Sequence, residues 1–179
     1  MTGAFHEDAF ADTWDALGGG WTRERVLEIL KDSRLGTYGT LALVVGVGIR
    51  AVAMSEFCSH GSVSSIVNVV AAGAISRLAI LAMMATTSPI ADRATQARDI
   101  AGQQSISNLL FASILSVPFW IFWFWSNAGI AIISLIVVAV VLVLFRGMVL
   151  RRVGGTTGDF LGCAAYLTQL IILIGATIR

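Results

Sequence analysis

Charged residues are scarce in this sequence. Only 13% of its 179 residues are charged, 56% are hydrophobic, and the mean hydropathy is +0.82, whereas a typical soluble domain has about 25% charged residues. This composition argues against a soluble domain. The formal net charge of +1 leaves no broad basic field, so nucleic acid is not an expected partner.

Cysteine and proline are also rare, with two of each. Cys58 and Cys163 both fall in or beside apolar stretches, so the sequence predicts neither a disulfide framework nor a zinc site. Pro118 falls inside an apolar run, where it removes one backbone hydrogen bond. It predicts a helix kink, which we interpret as a packing feature.

Long apolar sequence is abundant. A helix needs about 20 mostly apolar residues to cross a bilayer, and five stretches approach that length: 35–54, 62–85, 106–126, 128–145 and 160–178. Asn127 and Gly129 supply turn residues between the third and fourth stretches, which predicts a tight helical hairpin. We therefore expect an all-α, polytopic membrane protein with about five transmembrane helices and an interfacial helical segment. We expect it to form a single domain over residues 1–179.

Basic residues are distributed unevenly between these stretches. Segments rich in Lys and Arg stay on the cytoplasmic side of a membrane, so we place the N-terminus inside. The inner segments then hold Arg23, Arg25, Lys31, Arg34, Arg93, Arg98, Arg146, Arg151 and Arg152. The outer segments hold only Arg179. The sequence thus predicts an inner-membrane protein with residues 1–34 and a loop over 146–159 on the cytoplasmic face.

An acidic stripe lies near the start of the chain. Asp8, Asp12 and Asp15 are spaced i, i+4 and i+7, which places them on one face of a helix, opposite Phe10 and Leu17. Like charges at this spacing repel each other, and a bound cation relieves the repulsion. Because carboxylate oxygens suit Mg²⁺, we interpret the three aspartates as metal ligands. A merely solvated acidic face is the alternative.

A second charged motif precedes the first span. Thr22 is placed to cap an amphipathic helix that runs to about Asp32. Lys31, Asp32, Ser33 and Arg34 end this helix, and we interpret the four as candidate catalytic residues. Topology anchors that reach toward the lipid headgroups are the alternative interpretation of Lys31 and Arg34.

A glycine-rich turn opens the last span, directly after two arginines. The residues are Arg151, Arg152, Gly154, Gly155, Thr157, Gly158 and Asp159. Glycines let backbone amides approach an anion, a helix N-terminus favours negative charge, and arginines hold phosphate. Asp159 is placed to complete a metal site. Ordinary helix capping gives a similar pattern, but in the predicted topology this turn lies on the same membrane face as both other motifs.

Two arginines fall within predicted spans. An intramembrane charge costs at least about 2.5 kcal/mol on insertion scales, so Arg77, with Ser76 beside it, marks a candidate functional position. For Arg50 we favour a side chain that extends to the outer interface. His6 fits a ligand and a simple hydrogen-bonding residue equally well.

These motifs together resemble the cobalamin synthase family, the adenosylcobinamide-GDP ribazoletransferases. The matching pieces, in the family's order, are TGAFHEDAFADTWDALGGG, RERVLEILKDSRLGTYGTLAL, AAGAISR and GGTTGDFLG. The resemblance implies a prokaryotic membrane enzyme that joins adenosylcobinamide-GDP to alpha-ribazole or its phosphate and releases GMP. It also implies Mg²⁺ dependence and an active site that faces the cytoplasm.

Position by position, the resemblance implies metal and pyrophosphate binding by the acidic motif that includes His6. The resemblance also implies that the second motif, Ser76 and Arg77, and the glycine-rich turn belong to the active site. The chain differs from the family at Ala9 and Ala16, where glycine is usual, and at Tyr166 and Gln169, where acidic residues are usual. Family members also carry an upstream hydrophobic region, which we expect this chain to lack.

Two alternatives to an active transferase stay open. A transporter or channel component would also have five spans and intramembrane arginines, although its polar groups would gather near the bilayer midplane. A truncated, inactive relative of the family would keep the same motifs. A homo-oligomer is also left open.

Overall fold

The fold consists of helices, as the composition predicted. A computed structural model describes residues 4–60, 63–90 and 105–178, and this part of the chain contains no β-strand. Its helices are α1 (Phe5–Gly19), α2 (Arg23–Ile29), α3 (Thr37–His60), α4 (Val63–Thr86), α5 (Ile106–Val153) and α6 (Gly158–Thr177). The predicted all-α class is confirmed.

Five helical segments are long and apolar enough to cross a membrane. They are Thr37–Ser59, Ser65–Thr86, Ile106–Trp125, Ala128–Val153 and Gly158–Thr177. Each lies within a few residues of a predicted span, except that the fourth extends beyond residue 145. Large apolar side chains such as Val44, Leu115 and Val143 are exposed on these helices, as expected of surfaces that lipid covers. The chain is a multi-pass membrane protein.

The predicted hairpin around Asn127 and Gly129 is wrong. Helix α5 is continuous over 48 residues, about 72 Å at 1.5 Å per residue. Gly in a helix interior costs only about 1 kcal/mol relative to Ala, and Asn costs less. The long apolar sequence on both sides outweighs this cost, so the helix continues through the expected turn.

The predicted loop over residues 146–159 is also shorter than expected. Residues 146–153 form the last two turns of α5, and only the glycine-rich turn lies between α5 and α6. Arg151 and Arg152 occupy the last turn of α5, where cations are favourable because the helix dipole presents partial negative charge there.

Two layers of buried side chains hold the helices together. The layer beside α2 includes Phe10, Val26, Val149 and Phe160. The layer at the other end includes Phe57, Ile75, Trp123 and Leu173. Helix α6 contributes to both layers and is the most buried candidate span, with 67% of its apolar window buried. It is therefore the central helix of the bundle.

Helix α1 packs between α3 and α6. The ring of Phe10 lies 4.9 Å from that of Tyr166 in α6, measured between centroids. A Cβ atom at Gly46 of α3 would lie only 2.9 Å from the Tyr166 ring, and one at Gly162 of α6 would meet Ala9. The two glycines therefore permit the close approach that holds α1 against the membrane-spanning helices.

A distance measurement tests the continuity of α5. Spin labels on Leu115→Cys and Val140→Cys, in a Cys58→Ala background, should lie about 38 Å apart along a continuous helix. A hairpin would bring the same positions to about 10 Å, the spacing of packed helices. Both side chains are exposed. The control pair Ile132→Cys and Leu144→Cys should give about 18 Å in either arrangement, and a short distance for the first pair would restore the hairpin.

Candidate functional site

The three motif segments meet at one end of the helical bundle. The Arg152 guanidinium donates a hydrogen bond of 3.0 Å to the carbonyl of Gly20. The Arg23 guanidinium donates one of 3.1 Å to the carbonyl of Val153. These bonds join the turn between α1 and α2 to the end of α5. Asp15 connects the end of α1 to the start of α3, so the acidic motif reaches the charged motif and the glycine-rich turn through its last aspartate. Asp8 lies further along α1, next to Glu7, which pairs with Arg50 of α3.

Asp15 is a buried acceptor of backbone hydrogen bonds. The amide of Gly36 donates to one carboxylate oxygen at 2.7 Å, and the amide of Gly39 donates to the other at 2.8 Å. A Cβ atom at either glycine would collide with this carboxylate. The negative charge lies at the N-terminus of α3, where the helix dipole and the unpaired amides favour an anion. Asp15 thus holds α1 and α3 together.

Asp8 and Asp12 differ from Asp15 in their surroundings. Asp8 is exposed and Asp12 is half-buried, one helical turn apart on α1. Within residues 4–60, 63–90 and 105–178, no group of three or more His, Cys, Asp or Glu side chains is placed to hold a metal ion. However, Mg²⁺ is often bound by one or two carboxylates, with water and substrate phosphates as the other ligands. The two accessible aspartates fit this type of site.

The second motif forms an exposed turn with its own ion pair. The Arg34 guanidinium donates to both oxygens of Asp32, with Nη2 at 2.7 Å and Nε at 3.0 Å, and the Arg34 amide donates to the same carboxylate. These hydrogen bonds lower the pKa of Asp32 to about 2, so the carboxylate is ionised at neutral pH. Lys31 and Ser33 are exposed beside the pair.

The glycine-rich turn caps two helices. Gly154 has a φ of 76° and its amide donates to the carbonyl of Leu150, which ends α5. Thr157 begins α6, because its hydroxyl accepts a hydrogen bond from the amide of Phe160. The same hydroxyl lies 3.3 Å from the Asp159 carboxylate. The helix-capping interpretation is therefore correct at Gly154 and Thr157, and anion binding by this turn stays a prediction.

The glycine-rich turn also pairs with the segment after α4. The Thr156 amide donates to the carbonyl of Ser88 at 2.9 Å, and the Ile90 amide donates to the carbonyl of Thr156 at 3.1 Å. A Cβ atom at Gly155 would lie 2.8 Å from the Ser88 oxygen. The end of α4 is thereby fixed beside the start of α6, although the amide of Thr156 is no longer available to an anion.

An ion pair between α1 and α3 corrects the prediction for Arg50. Instead of extending to the outer interface, Arg50 pairs with Glu7, whose side chain is 16% exposed. The second Glu7 oxygen is buried and accepts no hydrogen bond in the described part of the chain. Pairing reduces the cost of burying each charge. The cost of an arginine within a span indicated that a partner was needed, but nothing in the spacing singled out Glu7.

Arg77 lies near the first turn of α1. Its guanidinium donates to the Ser76 hydroxyl at 2.8 Å and to the Gly73 carbonyl at 3.2 Å. Burial lowers the pKa of His6, and the nearby Arg77 cation lowers it further, so His6 is neutral at pH 7. Arg77 is nine residues, about 14 Å of helix, from the end of α4 that pairs with the glycine-rich turn.

The sequence of this helical bundle matches a known family. The family model described as cobalamin-5-phosphate synthase matches residues 1–177. The chain belongs to the cobalamin-5-phosphate synthase family. All three motif segments lie within the matched region.

Curated relatives are named adenosylcobinamide-GDP ribazoletransferase. That of Leptothrix cholodnii is 37% identical over 185 residues, covering 98% of this chain and 67% of the relative. Those of Shewanella oneidensis and Vibrio cholerae are 35% and 34% identical, and they cover 96% and 97% of this chain but 64% and 65% of the relatives. The chain thus spans about two thirds of the length of these relatives. No solved structure matches it.

Removal of the Asp15 carboxylate should destabilise the protein. Asp15→Ala leaves the amides of Gly36 and Gly39 without their acceptor, which should cost about 1–3 kcal/mol. For a chain of this length that corresponds to a fall of roughly 2–12 °C in the unfolding temperature, measured by circular dichroism in detergent. Asp8→Ala, at an exposed position, should change stability by less than about 0.5 kcal/mol. Equal effects of the two substitutions would contradict this role for Asp15.

The Glu7–Arg50 pair should behave as one unit in unfolding experiments. Glu7→Gln and Arg50→Gln should each lower the free energy of unfolding by about 1–3 kcal/mol, because each leaves one partly buried charge unpaired. The double replacement by Leu should recover most of this loss, since no unpaired charge remains. Glu28→Gln disrupts the exposed pair with Arg25 and should cost less than about 0.5 kcal/mol. If the double Leu variant lost as much free energy of unfolding as the two single variants together, the two residues would not be coupled.

Proposed function

We propose that this chain acts as an adenosylcobinamide-GDP ribazoletransferase. It joins adenosylcobinamide-GDP to alpha-ribazole or alpha-ribazole phosphate, forms adenosylcobalamin or its phosphate, and releases GMP. The observation that carries the proposal is the meeting of three motif segments at one end of the bundle, through the Arg152–Gly20 and Asp15–Gly36 hydrogen bonds. Family membership and the names of the relatives support the same reaction.

The reaction is a phosphoryl transfer. A hydroxyl oxygen of alpha-ribazole forms a bond to the phosphorus atom attached to cobinamide, and the bond from that phosphorus to the GMP oxygen breaks. The hydroxyl proton is lost and GMP leaves with the electron pair. Such a reaction requires in-line positioning and neutralisation of negative charge. A Mg²⁺ ion held by Asp8 and Asp12 would supply part of this neutralisation, while Asp15 fixes the helix that presents them.

The other motifs supply positive charge and an anion-favouring helix end. The first turn of α6, at Gly158, presents the positive end of a helix dipole, which suits a phosphate group. Lys31 is exposed in the second motif. In our proposal Lys31 and the first turn of α6 hold the pyrophosphate. Arg34 contributes once substrate phosphate competes with Asp32 for its guanidinium.

We also propose that this end of the bundle faces the cytoplasm from the inner membrane. The supporting observation is that seven of the nine basic residues in the described part of the chain gather there: Arg23, Arg25, Lys31, Arg34, Arg146, Arg151 and Arg152. Cytoplasmic segments of membrane proteins carry such an excess of positive charge. Arg93 and Arg98, which the sequence pattern also places on the cytoplasmic side, lie outside the described residues.

Release of GMP tests the proposed reaction. Membranes containing the full chain should release GMP from adenosylcobinamide-GDP when alpha-ribazole and Mg²⁺ are supplied, and a chelator should stop the release. Asp12→Ala should reduce the rate by at least about 100-fold, the scale of losing one electrostatic contact to the reacting group. Glu28→Ala, an exposed acid at the same end, serves as the matched control and should retain the rate.

Three outcomes would contradict the proposal or a part of it. Full activity of Asp12→Ala would remove the acidic stripe from the mechanism. Complete absence of GMP release from the wild-type chain, with intact folding by circular dichroism, would favour an inactive relative that retains the scaffold. Magnesium-independent release would leave the transferase but exclude the metal.

A further inference from the structure

A cleft of about 520 Å³ lies along the last turns of α5. One part of its lining is apolar, formed by Val143, Leu144 and Met148. The other part is cationic, formed by Arg146, Arg151 and Arg152, and none of the described lining residues is acidic. Its volume is typical of sites for small molecules. The proposed transferase reaction has no use for the apolar part of this cleft.

The two parts of the cleft are ordered along the membrane-spanning helix. Val143 and Leu144 are 69% and 67% exposed and lie within the candidate span Ala128–Val153, whereas the arginines approach its end. Eight residues of helix, about 12 Å, separate Val143 from Arg151. A molecule bound here would have its apolar part at membrane depth and its anionic part at the surface.

Two of the three guanidinium groups are held in place by the protein. Arg146 donates to the Thr86 carbonyl from Nε at 3.1 Å and from Nη2 at 2.6 Å. Arg152 bonds to the Gly20 carbonyl and lies over the Trp21 ring at 5.4 Å. Cations fixed in this way lose little conformational entropy when they bind an anion. Two of the three cations of the lining are therefore oriented before any ligand binds.

We propose that this cleft binds an anionic phospholipid of the membrane. The lipid phosphate contacts the three arginines, and the beginning of an acyl chain lies along Val143, Leu144 and Met148. Arginine binds phosphate by paired, charge-assisted hydrogen bonds, and basic groups at the membrane surface attract anionic lipids. The apolar lining favours a lipid, because a lipid has an acyl chain to contact it and a soluble phosphate does not. This assignment goes beyond the proposed reaction and is measured without it.

Gly147 offers a test that changes no charge. A Cβ atom at Gly147, which lines the cleft, would meet no atom within 4 Å, and the same holds for Gly48 on α3. Native mass spectrometry of the purified full chain would measure retention of phosphatidylglycerol and of phosphatidylcholine with identical acyl chains. Wild type should retain phosphatidylglycerol at least about fivefold better, the scale expected for one arginine. Gly147→Leu should lose this preference, and Gly48→Leu should keep it.

A charge substitution and a soluble competitor complete the experiment. Arg151→Gln should reduce the preference about fivefold, whereas Arg25→Gln, at an exposed position on α2 outside the lining, should not. Equal retention of the two lipids by wild type, or an unchanged preference in folded Gly147→Leu, would overturn the assignment. Displacement of the lipid by inorganic pyrophosphate at equal concentration would assign the cleft to a soluble phosphate instead. GMP release, measured in parallel, reports separately on the proposed reaction.

Discussion

The packing of α1 between α3 and α6 is the constraint on which the rest of the site depends. Asp15 accepts hydrogen bonds from the amides of Gly36 and Gly39 at the start of α3. Glu7 pairs with Arg50 further along α3, and Phe10 packs on Tyr166 of α6. These contacts are electrostatic at both ends of α1 and apolar in the middle. The helix is therefore fixed in position along its axis as well as in rotation, which determines where its exposed acidic face points.

Much of this arrangement was predictable because its signals are local. Five apolar runs predict the five candidate spans. Thr22 and the glycines after Leu17 mark helix ends. The distribution of basic residues predicts a topology in which the three motifs share one membrane face. The resemblance to cobalamin synthases, carried by the quoted motifs, is confirmed by family membership. Signals of this kind arise from neighbouring residues, so they can be recognised in the sequence before the tertiary structure is known.

The features that were missed depend on distant or competing interactions. Glu7 and Arg50 are 43 positions apart, and only the antiparallel packing of α1 on α3 brings them level. The hydrogen bonds from the Gly36 and Gly39 amides to Asp15 were missed as well, because the partners are 21 and 24 positions apart. At Asn127 and Gly129 the predicted turn is wrong, because the small cost of these two residues in a helix is outweighed by the helix-forming sequence around them.

The wide separation of α1 and α6 in the sequence has a consequence for biosynthesis. Chains fold from the N-terminus as they are made, so α1 can pack on α3 early, with Asp15 and Glu7 bonded. The other wall of the groove that holds α1, around Gly162 and Tyr166, is synthesised only after all the helices from α2 to α5. A ribosome that stops before α6 leaves Phe10 without the ring on which it packs.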